Sequence, residues 1–173
     1  MNNILAVENN MKITFKGNPV TLEGSEIKAG DTALDFNLTD NSLGNVSLND
    51  TKGKRIFVVV PSVDTPVCDR EIRKFNEEAS KLEGIKIYVI SMDLPFAQTR
   101  WCGAAGIDKV IMLSDYKNRD FGKNYGVYIK EIGLLARSIF VIDENNKVVY
   151  AEYCSEVSSD PDYDSALNAA KNL

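Results

Sequence analysis

Three cysteines, Cys68, Cys102 and Cys154, stand in a chain of 173 residues that contains no histidine. Cys68 is placed where a thiol could act as a nucleophile. The stretch Pro61-Ser62-Val63-Asp64-Thr65-Pro66-Val67 carries the chain from a β-branched run into Cys68 and a helix-like segment. The carboxyl end of a strand is where open α/β sheets put their chemistry. In the first turn of a helix, unpaired N–H groups and the positive dipole end favour a thiolate. A thiol with the ordinary pKa of ~8.5 is only about 3% ionised at pH 7. Bringing such a thiol to ~6 takes about 3.4 kcal/mol, whereas a helix terminus supplies ~0.3–2 kcal/mol. A hydroxyl and a cation must supply the rest. Thr65, one turn before Cys68, can offer the hydroxyl, and the cation has to be Lys or Arg. A plainer account fits the same spacing. Cys68 lies four and seven residues before Ile72 and Phe75 on an apolar stripe, and free cysteine is often a core residue. Thr65 also reads as a helix N-cap and Pro61 as a turn residue.

The missing histidine excludes a Ser–His–Asp triad, a Cys–His dyad and His-ligated zinc. No C-x-x-C occurs, so neither a zinc knuckle nor a thioredoxin-type redox pair is encoded. Glycine-rich phosphate loops are absent too, and the sequence shows no flavin or nicotinamide site and no metal site. A net charge of −5, from 20 basic and 25 acidic residues, argues against nucleic acid or an anionic membrane as partner. Residues 1–10 hold one short apolar run, Ile4 to Val7, without a basic segment before it, so no secretory signal is read. The run Ile56 to Val60 is far too short to span a bilayer. The expected compartment is a reducing cytoplasm, where thiols stay free. Asp64, Asp69 and Glu71 surround Cys68 in sequence. They are expected to flank the helix start and face away from the sulfur, and Asp93 to serve as a turn or cap.

These residues need a frame to hold them. Lys12 to Lys16 and Val20 to Glu23 read as a β-hairpin around Gly17-Asn18-Pro19. Short strands are expected at 35–38 and 46–48, and a strand buried on both faces at 55–60. Pro66 to Leu82 reads as a helix ended by Gly84, followed by a buried strand at 85–91. Next come a helix at 95–102 closed by Gly103, a strand at 110–113 and a short helix at 119–124. An extended piece at 127–129 precedes a hairpin of strands 138–142 and 148–153, and a last helix at 163–172. Strands alternating with helices, then a hairpin, give a single α/β domain over 11–173 with a mixed sheet, preceded by a flexible extension at 1–10.

Pro61-x-x-x-Thr65-x-x-Cys68 resembles the peroxidatic motif of the peroxiredoxins, and within them the atypical two-Cys bacterial subfamily. The stretches KITFKGNPVTLEG (12–24), RKFN (73–76), SMDLPFAQTRWCG (91–103), LARSIFVID (135–143) and DPDYDSAL (160–167) carry the same resemblance, which spans residues 11–173. It implies a thioredoxin-like fold with mixed central sheet flanked by helices, the N-terminal hairpin being an addition. It also implies a thiol-dependent peroxidase acting on hydrogen peroxide and organic hydroperoxides. Cys68 would be the peroxidatic nucleophile, and Thr65 would hydrogen-bond thiolate and peroxide. Pro61 would shield the pocket, and Arg137 would be the cation. Cys102 would resolve the Cys68 sulfenic acid as an intrachain disulfide, recycled by thioredoxin, in a homodimer. Read from the sequence alone, Arg137 is equally an edge-of-strand ion pair and Cys102 a helix-end core residue beside Trp101. Cys154 departs from the subfamily pattern, where that position is apolar, and reads as an inert strand thiol. The alternatives are a thioredoxin-like protein disulfide oxidoreductase, against which the missing C-x-x-C counts, and a non-catalytic binding module.

Because two cysteines on separate helices seldom meet disulfide geometry as folded, one or both local helices are expected to unwind during each cycle, with Gly103 and Gly106 easing this around Cys102.

Overall fold

The β-branched run at 54–59 is the spine of the molecule. The computed structural model describes residues 9–173. In it β6 (Lys54–Val59) pairs in parallel with β7 (Ile85–Ser91), and β7 with β8 (Ile111–Ser114). On the other flank β11 (Ser138–Ile142) runs antiparallel to β6, and β12 (Val148–Tyr153) antiparallel to β11. Two short strands, β4 (Leu38–Thr39) and β5 (Asn45–Val46), complete a seven-stranded mixed sheet of order β12-β11-β6-β7-β8-β4-β5. The mixed sheet and its flanking helices are those the sequence implies.

Alternation along β6 sorts the core into two layers. Ile56 and Val58 face α1 (Pro66–Ala79) and α4 (Tyr163–Lys171); Trp101 and Cys102 of α2 (Pro95–Ala105) pack against that layer too. Phe57 and Val59 face the opposite layer, with α3 (Asp120–Asn124). There Phe121 stacks on Tyr125 at 4.2 Å between ring centroids, and Phe36, Phe57 and Phe140 meet the pair edge-on or tilted.

The N-terminal hairpin differs in detail from expectation. Its strands are β1 (Ile13–Phe15) and β2 (Asn18–Val20), and Lys16-Gly17, both at positive φ, make the two-residue turn. Asn18 and Pro19 therefore lie in the strand. β3 (Leu22–Glu23) leaves the hairpin to pair with β9 (Tyr128–Ile129), which also pairs with β10 (Leu134–Leu135). Gly24 ends β3 at φ +104, where a Cβ would stand 1.8 Å from the Lys123 carbonyl oxygen. The expected extension at 1–10 falls, for residues 1–8, outside the described residues. Asn9 is tied in, its N–H to Leu22 O at 3.3 Å and its Nδ2 to Gly126 O at 3.1 Å.

Two helix ends also move. α1 stops at Ala79, with Leu82 buried in the turn beyond it. α2 runs through Gly103 to Ala105 and ends at Gly106, which is left-handed at φ +69. Gly103 has ordinary helical freedom and does not stop the helix.

Candidate active site

Cys68 lies in the first turn of α1. Pro66 opens that helix, where its missing N–H costs nothing, and Thr65 caps it by accepting the Cys68 N–H at 3.4 Å. The same Thr65 hydroxyl donates to the Cys68 sulfur at 2.6 Å. Arg137, in the residue before β11, donates to that sulfur through Nη2 at 3.2 Å. Cys68 has no exposed surface. Its sulfur thus meets two donors, one of them cationic, an arrangement suited to an anion rather than to the weak acceptor that a neutral thiol is.

Arg137 is itself pinned. Its Nε donates to Val157 O at 2.9 Å, and its Nη1 donates to a carboxylate oxygen of Glu71. Glu71 therefore points inward, fully buried, and not away from the site as expected from sequence. Burial pushes its carboxyl up to about 7 against the pull of Arg137. Its second oxygen, Oε1, has no hydrogen-bond partner. The signal for Glu71 was present in the sequence: three residues after Cys68, it shares the sulfur's face of the helix. Asp64 and Asp69 do turn outward, Asp69 pairing with Arg73 at 2.9 Å. Arg137 is both of the things the sequence allowed, an ion-pair partner and a cation on the sulfur.

Beside the two donors is a mainly apolar pocket of about 170 Å³, lined by Phe15, Pro61, Thr65, Pro66, Val67 and Arg137 among others, with the fully buried Cys68 behind its lining. Pro61 is buried in its wall, and Phe15 comes from the N-terminal hairpin. Thr65 and Arg137 belong to the lining and to the sulfur's contacts at once. A small molecule in the pocket reaches the donors that reach the sulfur.

Cys102 is elsewhere. It lies near the C-terminal end of α2, half-buried, with burial pushing its thiol up. It lines a groove with Asp40, Ile107 and Met112 that shares no residue with the pocket beside Thr65 and Arg137, and it packs at the edge of the apolar layer that buries Cys68. All three cysteines are free. Cys154, just past β12, is buried, and burial with the neighbouring Glu152 carboxylate pushes its thiol up to about 12. The structure thus brings Cys68, Thr65, Arg137 and Pro61 together, adds Glu71, and leaves Cys102 and Cys154 outside the pocket. Among the described residues no cluster of His, Cys, Asp and Glu is arranged to hold a metal ion.

Known proteins share this arrangement of chain. Residues 28–167 match the family model described as Redoxin. The chain belongs to the redoxin family. A thiol peroxidase of Clostridium acetobutylicum is 60% identical over 161 residues, covering 93% of this chain and 98% of the relative. One of Bacillus subtilis is 60% identical over 163 residues, with 94% and 98% covered. Among solved structures, a peroxiredoxin-like protein from Aquifex aeolicus superposes with a TM-score of 0.88 at 40% identity, covering 95% of this chain and 98% of the other. These relatives make the chain a thiol-dependent peroxidase of thioredoxin-like fold. No helix among the described residues is long and apolar enough to cross a membrane.

Proposed function

We propose that this redoxin reduces hydrogen peroxide and organic hydroperoxides through Cys68. The observation that carries this reading is the sulfur held between the Thr65 hydroxyl and the Arg137 guanidinium, two groups that also line a pocket. The Cys68 thiolate attacks the terminal peroxide oxygen, the O–O bond breaks, and the alkoxide or hydroxide that leaves takes up a proton as alcohol or water. Cys68 is left as a sulfenic acid. Thr65 and Arg137 meet the charge as it moves from sulfur to the departing oxygen, and Arg keeps its charge in a site this dry. Pro61 and the other apolar walls keep bulk water off the sulfur. Glu71 does not touch the reacting atoms. It is a positioning residue that aims the guanidinium.

The Cys102 thiol then displaces water from the sulfenic acid to give a Cys68–Cys102 disulfide, and thioredoxin, a dithiol, reduces it. Both thiols are free and sit on different helices, at the start of α1 and near the end of α2, so local helix unwinds first in this scheme. The protein works in the cytoplasm, and it does so as a homodimer; the exposed apolar Leu94 and Phe96 at the start of α2 support the dimer. Sedimentation at micromolar concentration will show the dimer.

Mass spectrometry after one equivalent of peroxide tests the chemistry. Wild type should carry an intrachain 68–102 link, Cys102→Ser a sulfenate at residue 68, and Cys68→Ser neither. Peroxide consumption by Cys68→Ser at the wild-type rate would sink the reading.

A further inference from the structure

The loop that delivers Cys68 and the loop that starts α2 share one carboxylate. Asp93 Oδ1 accepts from Ser62 Oγ at 2.8 Å, and Oδ2 accepts from the Val63 N–H at 2.8 Å and from Ser91 Oγ at 2.7 Å. Ser62 and Val63 lie on the approach to Cys68. Ser62 O in turn accepts the Thr65 N–H at 3.3 Å, so the loop's own turn rests on the same anchor. On the other side, Ser91 Oγ accepts from Gln98 Nε2 at 3.1 Å, tying Asp93 to the first turns of α2, whose first residue, Pro95, follows two positions later. The backbone around Asp93 is fixed as well, its carbonyl accepting from Ser114 Oγ on β8 at 2.5 Å. From its sequence, Asp93 reads as a turn or cap residue; α2 is capped instead by the backbone of Leu94, with no side-chain hydrogen bond, which leaves the Asp93 carboxylate to bridge the two loops.

We infer that Asp93 is a latch: its carboxylate holds the Cys68 loop and the start of α2 together, and release of that clasp sets the pace at which oxidised Cys68 reaches Cys102. The inference rests on the proposed role of Cys102. A disulfide brings Cα atoms within about 4.4–6.8 Å, and here both thiols are free, Cys68 fully buried in the first turn of α1 and Cys102 near the far end of α2. Residues 62–68 must leave their present hydrogen bonds for Cys68 to travel. Apart from backbone pairing, Asp93 supplies the acceptors that Ser62 Oγ and Val63 N–H would lose. Asp93 touches neither the sulfur nor the Thr65 hydroxyl nor Arg137, so the attack on peroxide and the later condensation, sulfenic acid plus thiol giving disulfide plus water, are separable in its variants.

The test is a pair of rates. Ser62→Ala removes one bond of the clasp and Asp93→Asn weakens all three, since an amide presents a donor where acceptors are needed. Quenched-flow mass spectrometry after one equivalent of hydrogen peroxide should show the 68–102 link forming about fivefold faster in Ser62→Ala, the weight of one net hydrogen bond. Asp93→Asn should accelerate it further. Sulfenate formation, measured for each variant in a Cys102→Ser background, should stay within about twofold of the parent. An unchanged rate of linkage, or both steps slowing together as mere destabilisation would cause, overturns the latch. If wild type forms no 68–102 link, it is the role of Cys102 that falls. The latch is then decided by amide exchange at residues 63–68, which must be faster in both variants for it to stand.

Discussion

Arg137 serves two partners with opposite demands. The sulfur of Cys68 gains from an undivided positive charge, and the buried Glu71 carboxylate needs that same charge to stay buried. Arg137→Lys keeps the charge but not the fork that reaches sulfur, carboxylate and the Val157 carbonyl together. It should slow the peroxide step by about 10- to 100-fold, the weight of one charge-assisted hydrogen bond, in stopped-flow single turnover. Arg137→Met strands Glu71 and should cost on the order of 3–5 kcal/mol in urea unfolding. Cys154→Ser is the contrasting case. Its thiol is pushed up to about 12 and lies outside the pocket, so turnover should change by less than about twofold. The Pro61, Thr65 and Cys68 part of the site was legible because it is local, three side chains on one strand-to-helix turn. Arg137 needed the family resemblance, because nothing in a single sequence joins residues 68 and 137. Glu71 lay on the right helical face but read as a first-turn acid, since only tertiary packing shows which way a partly amphipathic position turns.

At the scale of elements, the helix cap and the hairpin anchor each do two tasks. Thr65→Val removes both the cap of α1 and the donor to sulfur. It should lose about 1 kcal/mol of stability and also slow sulfenate formation, whereas Thr65→Ser should keep both. Glu156 binds the hairpin to the body: it accepts from Thr14 Oγ1 at 2.7 Å and from the N–H groups of Lys16 and Gly17 at 2.9 and 3.0 Å. Despite some burial, these bonds and those from Ser158 hold its carboxyl far below the usual range. A carboxyl depressed in this way adds stability above its ordinary pKa of 4.5 and withdraws it as the pH falls below that value. Thr14 donates its N–H to Ser155 O and accepts that of Val157, and protection of these two amides against exchange, relative to the intrinsic rate at each pH, should fall in acid and, for Glu156→Gln, at neutral pH. Helix starts were legible through Pro66 and Pro95. The end of α2 was not: both Gly103 and Gly106 could stop a helix, and the chain uses the one that adopts positive φ. β10 escaped because Leu134–Leu135 has no alternation to read.

For the molecule as a whole, the alternation of strand and helix was enough to give a mixed α/β sheet, since continuous apolar runs at 55–60 and 85–91 have no other economical home. The pairing of β3 with β9 was out of reach, being a contact between two-residue strands distant in sequence. One global property follows from buried acids. Glu71 and Asp115 are both pushed up to about 7 by burial, so between their ordinary values and 7 the folded chain binds more protons than the unfolded one. Stability should therefore fall as the pH rises through this window. Urea titrations from pH 4.5 to 8 should show that slope in wild type and a shallower one in Glu71→Gln. A last consequence concerns Phe15. The pocket borrows this ring from a hairpin, while the hydrogen bonds to the sulfur come from Thr65 and Arg137. Evolution, or an engineer, can resize the entrance for bulkier or slimmer oxidants by redrawing a few N-terminal residues, while the reactive machinery stays untouched.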